Sequence, residues 1–139
     1  SPLCTAEPPM PRPSLDAILF IGAGGFLGAN ARYLVGLWAA ERFGTAFPWG
    51  TLIANATGGL LLAAFATWFT RQTDIEPNLR LFFAVGFCGA YTTFSTYALD
   101  TISLAQTGQW SASIANLLVN NAFCFIGVLA GLWIGARIG

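Results

Sequence analysis

The chain has 139 residues, 55% of them hydrophobic and 9% charged; a water-soluble domain carries about a quarter charged residues, so water is not the solvent for most of this surface. Six arginines cancel six acids and there is no lysine, which argues against nucleic-acid binding. Histidine is absent, which removes imidazole-based metal and proton chemistry.

Residues 1–14 hold Pro2, Pro8, Pro9, Pro11 and Pro13, which no helix tolerates together. They lack the basic region, apolar core and small-residue cleavage site of a signal peptide, and are read as a disordered tail. Residues 15–139 are read as one membrane domain with four apolar runs. A span needs about twenty predominantly apolar residues. Ala17 to Ala40 qualifies, with Arg32 as its only charge. Pro48 to Thr70 is uncharged, and Trp49 and Trp68 bracket it at about 28 Å of helical rise. Leu81 to Ser103 contains one acid, Asp100, and Ser113 to Ala136 none. The loops Glu41 to Phe47, Arg71 to Arg80 and Leu104 to Ala112 are short, which makes neighbouring helices antiparallel. Arg12, Arg71, Arg80 and Arg137 fall on one side, Arg32 and Arg42 on the other. That is a weak bias under the positive-inside rule, compatible with insertion in both directions.

The polar residues within these runs carry the functional signal. Gly22, Gly24, Gly25, Gly28, Gly58 and Gly59 point first to close helix packing. Cys88 and Cys124 lie in apolar segments and, with Cys4, make an odd set, so packing is a better reading than a disulfide framework. Asn55 lies about 9 Å inside Trp49 by helical rise; interhelical glue and a polar pathway are both open for it. Asn116, Asn120 and Cys124 recur every four residues on one helical face, from which Asn121 departs. Arg32 either serves an anion or snorkels to the headgroups.

The stretch Gly86 to Tyr97 is the most polar part of any run. Gly86 and Gly89 weaken the helix there, and Thr92, Thr93, Ser95 and Thr96 compete for its backbone. A break near Thr92 frees carbonyls that take either a cation or neighbouring hydroxyls. Phe94 and Tyr97 share a face, and aromatic edges are positive. Within the spans there is no central acid to exchange protons with an organic cation, and no nucleophile, acid and base converge. Hydroxyls, amides, aromatic edges and arginine suit a small anion.

Three blocks, Gly25 to Tyr33, Gly50 to Gly58 and above all Gly86 to Tyr97, closely resemble the small bacterial fluoride channel family, the CrcB or Fluc proteins. The likeness covers all four runs. It implies an all-α membrane protein whose third helix is broken near the midplane, paired as an antiparallel, dual-topology homodimer in the lipid of the bacterial cell membrane. It implies two fluoride pores at the subunit interface and a structural sodium ion on the two-fold axis. Asn55 matches the pore asparagine, and Phe94 and Tyr97 match a pair of phenylalanines whose edges face fluoride. The carbonyls of Gly89 and Thr92 match the sodium ligands, and Ser95 and Thr96 the hydroxyls beside the first phenylalanine. Asn116, Asn120 and Cys124 fall on the family's polar track, and Arg32 on the first-helix arginine. Tyr97 departs by adding a hydroxyl; Asn116 and Cys124 replace a tyrosine and a serine. The rival readings are a small proton-coupled multidrug-type exporter and a structural subunit of a membrane complex.

Overall fold

The computed structural model describes residues 12–138. Cys4 and most of the tail therefore lie outside the described residues; 12–14 are non-helical. Helix α1 (Leu15–Phe43) starts at Ser14, whose hydroxyl accepts from the Ala17 amide at 3.1 Å. It ends at Gly44, where φ of 83° suits a residue without a side chain. Helix α2 (Trp49–Arg71) starts after Pro48, whose missing amide hydrogen costs nothing there. Next come α3 (Pro77–Arg80), a π-helical stretch (Leu81–Cys88) and α4 (Gly89–Tyr91), joined through helical backbone at Arg80, Leu81, Cys88 and Gly89. Two extended residues separate them from α5 (Phe94–Gln106). Helix α6 (Trp110–Ile138) completes the described chain.

Every element among the described residues is helical, and α1, α2 and α6, of 29, 23 and 29 residues, are each long and apolar enough to cross a membrane. At 1.5 Å per residue even α2 runs about 35 Å, more than the hydrocarbon thickness. The third expected run is divided between the 77–91 helix and α5, so neither piece alone has that length.

Small residues set the distances between helices. On α6, Gly127, Gly131 and Gly135 are buried at one-turn intervals against α2. A Cβ at Gly135 would lie 2.6 Å from the Ala64 carbonyl, and one at Gly131 would overlap that of Leu60. Gly24 and Gly28 of α1 meet the backbone of Phe82 and Phe87 in the same way. Between helices in lipid, where both surfaces are equally greasy, such close approach supplies the attraction. The outward faces are apolar: Phe26, Leu34, Phe125 and Leu129 are all more than half exposed, as lipid contact requires.

Replacing Gly131 with leucine should force α2 and α6 apart. Overpacking of this kind costs about 1–3 kcal/mol, so the thermal midpoint in detergent should fall; an unchanged midpoint would show that the glycine stripe does not set the interface.

Candidate functional site

The backbone leaves the helix at Thr92 (φ −88°, ψ 156°) and Thr93 (φ −152°, ψ 119°). Helix ends orphan their carbonyls and amides, and in lipid each orphan needs a partner. On the α4 side, the Thr92 amide and hydroxyl both donate to the Cys88 carbonyl, at 3.1 and 2.9 Å. Arg32 Nε donates to the Ala90 carbonyl at 3.0 Å, placing a cation at the negative end of a helix. On the α5 side, Thr93 is the N-cap, its hydroxyl oxygen accepting from the Thr96 amide at 3.2 Å.

Asn55 of α2 closes the gap. The Thr93 amide donates to its Oδ1 at 2.7 Å. An amide N–H can only donate, so this bond fixes which way the Asn55 carboxamide faces. Its nitrogen then donates to the Thr93 carbonyl at 2.9 Å and to Asn120 Oδ1 at 3.1 Å. Both Asn55 amide hydrogens are thereby engaged. Because Asn55 takes the Thr93 amide, the Gly89 carbonyl loses the backbone donor four residues on that a continued helix would give it.

From Asn120 the polar line continues between α5 and α6. Asn120 Nδ2 faces Asn116 Oδ1 at 3.5 Å, and Asn116 Nδ2 donates to Thr101 Oγ1 at 2.9 Å. The Thr101 hydroxyl donates to the Tyr97 carbonyl at 2.8 Å, and Ser113 donates to the Thr101 carbonyl at 2.7 Å. Asn116 is wholly buried. Among the described residues no buried side-chain nitrogen or oxygen lacks a partner, as a low-dielectric interior demands.

A cavity of about 210 Å³ opens beside the break. Of the expected residues, Asn55, Phe94, Tyr97, Asn120, Thr92 and Cys124 line it. The Phe94 and Tyr97 rings meet edge to face, with centroids 5.5 Å apart. Phe94 is 77% exposed and Tyr97 is buried, so one ring of the pair is anchored while the other stands on an uncovered face. Cys124 Sγ lies 3.3 Å from the Asn55 carbonyl, to which it can donate. Asn116 is one turn removed from the cavity, inside the α5–α6 contact. Thr96 lines a separate vestibule with Thr51 and Asp100, and Ser95 lines neither. Arg32 lines a third cavity, on the α1 side of Thr93.

The family described as CrcB-like protein, Camphor Resistance (CrcB) matches residues 19–132, which include every residue of this site. The chain is 44% identical over 111 residues to a protein of Koribacter versatilis named fluoride-specific ion channel FluC, covering 80% of this chain and 88% of that one. It is 42% identical over 118 residues to the Rhizobium meliloti protein of the same name, covering 85% and 94%. A third, from Rhodospirillum rubrum, is 44% identical over 119 residues, covering 84% and 89%. The chain belongs to the CrcB family.

Within this CrcB chain the break recruits side chains that spacing alone did not single out. Thr93 is both cap and cavity wall. Asn121 lies off the α6 stripe, yet its Nδ2 reaches Tyr97 Oη at 2.8 Å. The Thr57 and Tyr91 hydroxyls are 2.7 Å apart and tie α2 to α4. Asp100 accepts from Thr51 Oγ1 at 3.1 Å, beside the start of α2 and the loop that precedes it.

Thr93→Val should cost about 1 kcal/mol through the lost cap. Asn55→Ala should cost more, because the Thr93 amide, the Thr93 carbonyl and Asn120 Oδ1 all lose a partner, at about 1–3 kcal/mol for each group left buried. Unfolding midpoints in detergent check the order; equal midpoints for the two variants would contradict the clamp.

Proposed function

We propose that this chain is a passive, fluoride-selective channel that carries fluoride out of a bacterial cell across its inner membrane. One observation carries the reading: carboxamides, hydroxyls and an aromatic pair converge beside an extended backbone segment, in a chain whose outer faces are apolar. Relatives more than 40% identical are named for the same activity. Fluoride is small and strongly hydrated, so a pore must replace its water with donors. Asn120 offers an amide hydrogen held only by the 3.5 Å contact to Asn116. The positive edge of Phe94 adds a softer donor. The first-turn amides of Phe94 and Ser95 are the ones that the α5 cap does not satisfy, while Thr96 lines the separate vestibule. Asn55 holds this wall in place, and Arg32, on the α1 side, draws anions toward it. Binding and release without covalent chemistry suffice for transport.

The functional unit is an antiparallel homodimer with a pore on each side of its interface. The exposure of Phe94, Leu99 and Ile102 on α5 leaves an apolar face for a second copy to cover. In this arrangement the 77–91 helix and α5 together make the third crossing, with the break at the midplane. A sodium ion fits the break, since the Gly89 carbonyl lacks its helical partner and the Thr92 amide oxygen lies in extended backbone. Two copies about a two-fold axis present both carbonyls twice. The ion would pin the two broken helices together and has no role in moving fluoride.

Purified protein in liposomes should release fluoride, measured with a fluoride electrode, and retain chloride. Phe94→Ile should slow release about tenfold, the scale of one aromatic contact. Equal release of chloride and fluoride, or no fluoride release, would sink the channel reading. Replacing sodium by a bulky organic cation should lower the thermal midpoint of the detergent-solubilised dimer; a midpoint indifferent to sodium removes the ion from the account.

A further inference from the structure

The contact between Tyr97 and Asn121 carries an inference that deepens the channel reading and rests on it. Both residues line the cavity beside the break. Asn121 Nδ2 lies 2.7 Å from the Leu117 carbonyl, one turn back on α6, and 2.8 Å from Tyr97 Oη. A carbonyl can only accept, so the nitrogen and not the oxygen of the carboxamide faces this side. The same nitrogen therefore donates to the phenol oxygen, and the phenol hydrogen must go elsewhere. Its one acceptor among the described residues is the Leu117 carbonyl at 3.4 Å. That is well beyond the usual 2.7–2.8 Å or so of hydroxyl bonds, and the same carbonyl already receives the Asn121 amide at 2.7 Å.

We propose that Asn121 is a positioning residue that turns the Tyr97 hydroxyl into a hydrogen-bond donor for the anion in this cavity. Accepting from Asn121 polarises the phenol and strengthens what its own hydrogen can donate. The buried Tyr97 ring cannot swing away, and its edge contact with Phe94 holds the hydroxyl beside the other donors. The aromatic pair then contributes both a ring edge and a hydroxyl, and the hydroxyl sets how tightly fluoride is held.

The test is the fluoride dependence of initial efflux from liposomes for the unaltered chain, Tyr97→Phe, Asn121→Ala and the double variant. Tyr97→Phe keeps the ring and its packing. Each single variant should raise the half-saturating fluoride concentration about tenfold, a shift at the low end of the range for a hydrogen bond to a charge. The double variant should shift it no further, because Asn121 acts through the hydroxyl. An unchanged half-saturation in Tyr97→Phe, or additive shifts in the double variant, overturns the assignment while leaving the channel intact. Failure of the unaltered chain to release fluoride overturns the channel reading and this assignment together.

Discussion

Two residues of extended backbone inside an apolar protein create a debt of hydrogen bonds, and most of the site's architecture follows from meeting it. Lipid offers no donor or acceptor. The protein must therefore bring its own, from several elements at once. Asn55 of α2 binds both the amide and the carbonyl of Thr93. Arg32 of α1 takes the Ala90 carbonyl, and Thr93 caps the helix it begins. Three elements are thus locked to the break by polar contacts, and the glycine stripes bring their backbones close enough for those contacts to form.

In the proposed channel, the same arrangement leaves donors for a passing ion. Asn55 spends both amide hydrogens on the scaffold, so it shapes the cavity more than it solvates an anion. Asn120 and the first turn of α5 keep the looser hydrogens. This division matters for an anion that must leave as readily as it enters, since binding has to be strong enough to replace water and weak enough to release. A rigid wall with a few underused donors meets both conditions. A cavity whose every donor was already satisfied would repel fluoride, and one with many free donors would trap it.

Much of the fold was legible in the chain. Trp49, Pro48 and the uncharged run after them marked α2 to within a residue, because interface aromatics and the missing proline amide act locally. The ends of α1 and α6 ran two or three residues past the apolar runs; at α1 capping by Ser14 and Gly44, not hydropathy, stops the helix. Glycines and hydroxyls around Thr92 signalled weak helix, and the backbone there is extended. What stayed hidden was the pairing of distant side chains. Arg32 and Ala90 are far apart in sequence, so whether the guanidinium snorkels or binds a carbonyl is decided only by the packing of α1 on α4. Asn121 fell outside the four-residue stripe because spacing ranks residues by the direction of Cβ. A carboxamide reaches sideways along its own helix, and that reach brings Tyr97 within its range. The Thr51–Asp100 contact across the α2–α5 gap was hidden in the same way, since the two residues are 49 positions apart.

The central claim is that this site passes fluoride downhill and little else. The most direct measurement is the reversal potential of purified protein in a planar bilayer, with a fluoride gradient, equal chloride and equal pH on both sides. The account predicts reversal at the fluoride equilibrium potential, unmoved when chloride is then made asymmetric. A reversal potential that follows chloride, or flux that requires a proton gradient, would contradict it.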